Sequence, residues 1–512
     1  MDWVKRSSDY TLTDGKSGFS ISFAGMNFEE ADLVQLAPAF DKAVVGIADI
    51  ESGKIKNPDE QRKVTHFTDR MAYPASETFA AVETFAAKTI AEGKFDAVVV
   101  NGIGGSALGP QLMQFAINGP YWNELPASKR RGLKIYFLDN TDSSGFADLM
   151  EVMEPEKTIH LVISKSGGTQ ETKNNMIAME KFYASRGLDF GKCAVAVTMK
   201  DSSLYKHAEE NNWLKIFEMA ESIGGRTSET AIVGHLPAAL TGVDFGKFLA
   251  GACDMDQWTR EKDFRSNPAL FLAAMWYLAG NGKGDRNMVI VPYSDRLVLL
   301  SRYLQQLVME SLGKELDLVG NKVNQGLNVF GNKGGTDAHA FIQQLNDGRD
   351  DFFATFIEVL QDAASLEIND GITMGDYLHG FFEGLSAALR SKGRQTITIR
   401  IPQLSVYELG QIIALYERAV AMYAEFININ AFHQPGVQAY KLAAKDVLAL
   451  RGKLIAAIDG ASGFSGCGKD FAEKAGVPEK AVEIAALLDK AALNNTLVER
   501  SFNGKNWIYT VK

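Results

Sequence analysis

Residues 95–110 read FDAVVVNGIGGSALGP, and the rest of the chain is organised around them. Ala97, Val98, Val99 and Val100 form a short apolar run of the kind found in a parallel strand buried on both faces. The run feeds a turn containing Gly102, Gly104 and Gly105, and a helix is expected from near Gly109. A strand, a glycine turn and a helix N-terminus aim unpaired backbone N–H groups at one point, where an anion is favoured. Ser106 adds a hydroxyl there. The same letters satisfy the dinucleotide fingerprint G-x-G-x-x-G/A, which expects an acidic residue roughly 20 positions on. Here the acid ending the next strand-like run is Asp139, 37 positions after Gly102 (139 − 102), so a nicotinamide cofactor fits poorly.

Working outward, Ser76 is placed to cap an amphipathic helix, SETFAAVETFAAKTIAEG, that leads into the opening strand. Strand-like runs then alternate with helix-like ones: Phe95 to Val100, Leu133 to Leu138, Thr158 to Ser164, Cys193 to Met199 and Leu214 to Met219. Such alternation implies an α/β fold, a doubly wound parallel sheet covered by helices on both faces. A second unit of the same kind is expected from about residue 286, through MVIVPY, FATFIEVL and QTITIRI, with helix-rich stretches Phe245 to Glu261 and Pro268 to Ala279 between the two. The expected layout is an N-terminal arm of short helices and loops (1–75), two sheet domains (76–262 and 263–445), and a C-terminal extension (446–512) ending in a helix and a hairpin around Asn503-Gly504. Pro435 should break the helical pattern of 405–460 at His433-Gln434-Pro435-Gly436.

With 512 residues, 46% of them hydrophobic, the chain can build two to four domains. Its net charge of −10, with no Lys/Arg run, argues against nucleic acid or an anionic membrane as the main partner. An anionic substrate would therefore need a locally positive pocket. Cys193, Cys253 and Cys467 lack the paired spacing of a disulfide framework or a structural zinc site, which suits a reducing cytoplasm. The N-terminus has no apolar signal core and the run Phe271 to Ala279 is too short to span a bilayer, so a soluble protein is expected.

Several stretches carry chemistry. Ser164-Lys165-Ser166-Gly167-Gly168-Thr169 lies at a strand-to-helix turn and supplies three hydroxyls, a cation and glycines, which is what a phosphate monoester needs. An N-capped helix with Thr169 as the cap would explain one hydroxyl but not three. In SIGGRTSET, Gly224-Gly225 precede Arg226, which either faces the strand ends or makes an ordinary ion pair. Leu297 to Leu312 reads as a helix with Leu300, Leu304, Leu307 and Val308 on one face and Arg302, Gln306 and Glu310 on the other. Periodicity alone makes that second face a solvated stripe. His339 follows Gly334-Gly335-Thr336-Asp337-Ala338, and a histidine suits proton transfer near neutral pH. Lys441 follows Gln434 by seven residues on the next helix, and on its own reads as a surface charge.

Taken in order, GIGGSALGP, SKSGGTQET, GGRTSETAIVG, QQLVMESLGK, GGTDAHAF and FHQPGVQAYK resemble the glucose-6-phosphate isomerase family, built from two sugar-isomerase domains. The resemblance spans about residues 95–445. It implies that Glu310 is the catalytic base moving a proton between C2 and C1, and that Arg226 stabilises the enediolate charge. It implies that His339 and Lys441 open the sugar ring. Ser106, Ser164, Lys165, Ser166 and Thr169, with Thr172, would hold the phosphate, Gly105 and Gly225 would also bind substrate, and Gln306 and Gln434 would contact the sugar. It further implies a homodimer in which the histidine reaches the neighbouring subunit's site. None of these steps needs a redox cofactor or a metal, so neither is expected. The chain departs from the common pattern at His433, where many members have Asp, at Gln438, where they have Glu, and in the glycine form of SKSGGT. The competing reading is a sugar-phosphate sensor that uses the same pocket without catalysis.

Overall fold

The computed structural model describes residues 2–494 and 496–512. Contacts divide the chain into two compact units, Met1–His433 and Gln434–Lys512. In the first unit the strands that matter here are β1 (Thr11–Thr13), β2 (Ser20–Ser22), β3 (Ala97–Asn101), β4 (Lys134–Leu138), β5 (Thr158–Ile163) and β6 (Ala194–Thr198). They continue with β7 (Lys215–Glu218), β8 (Asn287–Tyr293), β9 (Val329–Phe330), β10 (Phe352–Val359) and β11 (Gln395–Ile401).

The first sheet is wholly parallel, in the order β4-β3-β5-β6-β7. Every residue of β3, β5 and β6 is buried, whereas the edge strands β4 and β7 keep partly open positions. That is why the central runs carry no polar alternation: helices cover both of their faces. The chain leaves β3 toward β4 on one side and returns to β5 on the other. The order therefore reverses at β3/β5, and a crevice opens beyond the carboxyl ends of these two strands. The loops that follow β3 and β5 are GIGGS and SKSGGT, so strand order alone sets them side by side.

The second sheet runs β1-β2-β11-β10-β8-β9, with β8 to β11 parallel and the β1/β2 hairpin added antiparallel to β11. The N-terminal arm thus also contributes two strands to the sheet. The signal lies in Phe19-Ser20-Ile21-Ser22-Phe23, whose period of two buries Phe19, Ile21 and Phe23 while the serines stay half open. The helix Val406–Phe426, buried along nearly its whole length, packs on Phe245–Trp258 and Pro268–Ala279 in the core on one face of this sheet. A buried ionic cluster lies among these helices. Asp256 accepts from Arg70 Nε at 2.6 Å and from Arg418 Nε at 2.7 Å, and Arg70 also binds Glu417. Removing one partner would strand a buried charge, which costs about 3–5 kcal/mol.

Ser76 Oγ accepts the Phe79 N–H at 3.1 Å, so the Glu77–Glu92 helix is capped as its sequence implies. The helix after β3 starts at Gly105, earlier than the expected Gly109, because Gly104 at φ +58° completes the turn. The expected helix from Leu297 to Leu312 is an α-helical segment, Leu300–Leu304, followed by a π-helical one, Gln305–Glu310.

The second unit holds the helices Pro435–Ile458, Gly468–Lys474 and Ala481–Leu493, with the hairpin Val498–Phe502/Trp507–Val511 closing through Asn503-Gly504. It begins at 434 and not at the expected 446, since Pro435 opens one uninterrupted 24-residue helix. Among the described residues no helix is long and apolar enough to cross a membrane.

Candidate active site

The crevice at β3/β5 is built by close contacts at its glycines. A Cβ on Gly105 would lie 1.8 Å from the Gly225 carbonyl oxygen, and one on Gly104 would lie 2.9 Å from Gln306 Nε2. Ser228 Oγ ties the same two loops, donating toward the carbonyls of Gly225 (2.7 Å) and Gly105 (3.3 Å). The loop after β5 joins them through Lys165, whose ammonium donates to the Ile223 carbonyl at 2.9 Å and to that of Glu221. Burial, reinforced by the charge of Arg62, lowers the Lys165 pKa to about 8. GIGGS, SKSGGT and GGR therefore form one junction, with Gln306 against it.

Gly167, at φ +70°, turns this phosphate-type loop where a Cβ would meet Leu204 N at 2.4 Å. Thr169 does stand at the N-cap of the helix Gln170–Ser185, but its hydroxyl makes no cap bond and accepts from Ser164 Oγ at 3.3 Å. The simple-cap reading of Thr169 thus fails. Ser166 Oγ accepts the Gly168 N–H at 3.2 Å. Ser164 and Thr172 are buried, Ser106 and Thr169 half-buried, and Ser166 exposed. Hydroxyls and the first N–H groups of a 16-residue helix thus share one small volume, where the helix dipole favours an anion.

Arg226, 6% exposed, follows Gly225, the glycine packed against Gly105. Its Nε lies 3.4 Å from Glu310 Oε2, Nη1 donates to Ser311 Oγ at 3.3 Å and to the Ala431 carbonyl at 3.4 Å, and Nη2 donates to the His433 carbonyl at 3.4 Å. Burial lowers the Arg226 pKa, while Glu310 and Glu60 act the other way. Glu310 remains open enough, at 21% side-chain exposure, to meet a ligand. The helical stripe divides accordingly. Arg302 makes a surface pair with Asp139 (3.3 Å), Gln306 reaches the glycine turn and Glu310 reaches Arg226. Asp139, the acid of the dinucleotide reading, also accepts from Gln111 Nε2 at 2.8 Å.

Four further residues at this junction carried no assignment in the sequence. Lys314 is buried and donates to the carbonyls of Glu310 (2.7 Å) and Ser311 (2.8 Å), with burial first and Arg226 second lowering its pKa to about 7. Its place inside QQLVMESLGK was the available signal. Ser311 lies in the same motif. Arg62, from the N-terminal arm, donates to the carbonyls of Ser222 (2.7 Å) and Phe432 (3.2 Å), and nothing local marks it. His433 meets Arg226 through its carbonyl. Its ring lies 3.5 Å from Asp59 and near the Asn430 carbonyl, with burial lowering its pKa. A changed side chain at 433 therefore leaves the bond to Arg226 in place.

Three further candidates remain. His339 is exposed at the end of the turn Thr336–His339, which buried Asp337 anchors by accepting the N–H groups of Asn332 and Lys333, both at 3.0 Å. Gln434 and Lys441 belong to the second unit: Gln434 is the N-cap of Pro435–Ile458, and Lys441 follows about two turns later on the same face. The Gln438 side chain lies outside the described residues.

A doubly wound sheet whose switch-point loops gather hydroxyls, a lysine and helix N–H groups, with a carboxylate against a guanidinium, defines a phosphosugar isomerase. The chain belongs to the phosphoglucose isomerase family, whose model matches residues 41–392 and 383–459. It is 43% identical to the glucose-6-phosphate isomerase of Gloeothece citriformis over 96% of this chain and 95% of that one. It is 45% identical to the Geobacter sulfurreducens enzyme of the same name, again over 96% and 95%. The crystal structure of a glucose-6-phosphate isomerase from Chlamydia trachomatis superposes with a TM-score of 0.78 at 26% identity, covering 88% of this chain and 91% of that one. The family resemblance read from the six segments is borne out.

Proposed function

We propose that the chain interconverts glucose 6-phosphate and fructose 6-phosphate through a cis-enediol intermediate. The observation that carries this is the 3.4 Å approach of Glu310 to Arg226 at the edge of the anion cradle. Proton abstraction beside a carbonyl needs a carboxylate within reach and a fixed positive charge where the oxyanion develops. Glu310 removes the proton from C2 and returns it to C1, and Arg226 meets the charge that appears as the proton leaves. Ser106, Ser164, Lys165, Ser166 and Thr169, with Thr172, hold the phosphate, and Gly105 and Gly225 line the substrate. Gln306 and Gln434 contact the sugar. Lys441 and His339 move protons to and from the ring oxygen and the C1 hydroxyl, His339 acting from the neighbouring subunit of a cytoplasmic homodimer. The exposure of His339 in the single chain is consistent with that service. A non-catalytic sensor would have no use for a carboxylate held against a buried guanidinium.

An assay on the purified protein, coupling glucose 6-phosphate formation to NADP reduction, tests the reading. Wild-type protein should turn over fructose 6-phosphate, and folded protein without turnover refutes the assignment. Glu310→Gln should lose about 10³-fold or more in kcat, along with solvent-deuterium exchange at C2, while still binding the sugar phosphate. Near-normal turnover in that variant would remove Glu310 from the role of base. Light scattering during size exclusion should give twice the chain mass, and a monomer of full activity would refute the shared site.

A further inference from the structure

The helix that carries Glu310 is π-helical over Gln305–Glu310 and closes two residues later, after Ser311 and Leu312. Carbonyls at such an end lack helical donors, and π-turns cluster at functional sites. Lys314 turns back over this end: its ammonium donates to the carbonyl of Glu310 at 2.7 Å and to that of Ser311 at 2.8 Å. The residue is 4% exposed, an unusual place for a lysine, so the charge is spent on these two carbonyls and not on water. Gly313 permits the reversal, since its N–H bonds Met309 O at 2.8 Å and a Cβ there would press on the same carbonyl at 2.8 Å. Arg226 in turn holds Ser311 Oγ at 3.3 Å and the Glu310 carboxylate at 3.4 Å. One cation thus grips the backbone of residues 310–311 and another grips their side chains.

We infer that Lys314 is a positioning residue for proton transfer: through the two carbonyls it fixes the backbone from which the Glu310 carboxylate is aimed at the substrate carbons. The inference rests on Glu310 being the base. Arg226, Glu310, Asp59 and His433 are the charged or titratable groups that act on Lys314. A neutral lysine amine still offers two N–H donors, so the grip survives loss of its proton, and the diagnostic is the split between kcat and KM.

The test uses the full chain with fructose 6-phosphate. Lys314→Met, which keeps the stem and removes the donors, should lower kcat about 10–100-fold while KM stays within about twofold, because aim is lost and the phosphate loop is untouched. Lys314→Gln, which keeps a donor, should recover part of that loss. Wild-type turnover and Glu310→Gln are run alongside. If Glu310→Gln is active, the assignment of the base fails; if it is dead and Lys314→Met keeps wild-type kcat, only the positioning role fails. A rise in KM with kcat preserved also overturns the role. So does failure of both Lys314 variants to give a cooperative melt, since Lys314 would then serve the fold and not the carboxylate.

Discussion

Substitution of Gly105 by alanine separates the geometry of the site from its chemistry. The new Cβ would stand 1.8 Å from the Gly225 carbonyl oxygen, against the 3.4 Å at which ordinary van der Waals contact begins, so about 1.6 Å must be made up. Both sides of the clash are backbone, and no side chain can rotate away. Gly225 must retreat, and Arg226, the next residue, is carried with it. A displacement of about 1 Å at a reacting group costs on the order of 10²-fold in rate. Expressed as barrier, that is about 2.7 kcal/mol at 1.36 kcal/mol per decade. The coupled assay should therefore show kcat/KM lower by about two decades, with circular dichroism near wild type. Gly145→Ala is the control: it lies in the helix Ser143–Val152 with nothing within 4 Å of the added Cβ. That change should leave activity alone and add up to about 1 kcal/mol of stability through helix propensity. The reasoning is refuted if Gly105→Ala retains kcat/KM within about threefold of wild type, because the junction would then not depend on that contact.

Two other outcomes follow from the charges around the site. Lys165, lowered to about 8 chiefly by burial, is charged below that pH and neutral above it, so kcat/KM should fall as pH rises through about 8. Lys165→Met should raise KM and abolish that limb, and an unchanged pH profile in the variant would exclude Lys165 from anion binding. Glu229, at 1% exposure, has room only because glycines stand at 109 and 234, where a Cβ would come within 2.2 and 2.8 Å of its Oε2. Burial, and after it the charge of Glu417, raises its carboxyl pKa well above the usual range. A raised carboxyl pKa means the folded state binds more protons than the unfolded one, so stability present in acid is lost as pH climbs past the unfolded value. Glu229→Gln cannot ionise. Its melting temperature should gain on wild type between pH 4.5 and pH 8, and a difference that stays constant with pH would contradict the argument.

Much of the fold was legible because it is written in short-range pattern. The unbroken apolar runs of 97–100, 158–163 and 194–198 announce strands covered on both faces, and Ser76 announces a helix start through a single side-chain bond. The N-terminal strands were equally present, in the alternation Phe19-Ser20-Ile21-Ser22-Phe23. Strands of three residues are hard to distinguish from loop until a partner strand supplies their hydrogen bonds. Thr169 shows the limit of local reading: its position is that of a cap, yet its hydroxyl bonds Ser164 across the loop.

By itself the sequence determined the chemical groups: a glycine turn after a buried strand, a hydroxyl- and lysine-bearing loop, and the residues Arg226, Glu310 and His339 within family segments. Such groups depend on neighbours a few positions away, and that is the range over which chain geometry is encoded in pattern. Only the tertiary structure decided that Glu310 meets Arg226 and that Lys314 is buried beneath them. It also brings Arg62, from an arm with no motif, beside the same loops. Those approaches depend on strand order and on glycine-to-glycine contacts between loops distant in the chain, and no spacing along one sequence carries that information.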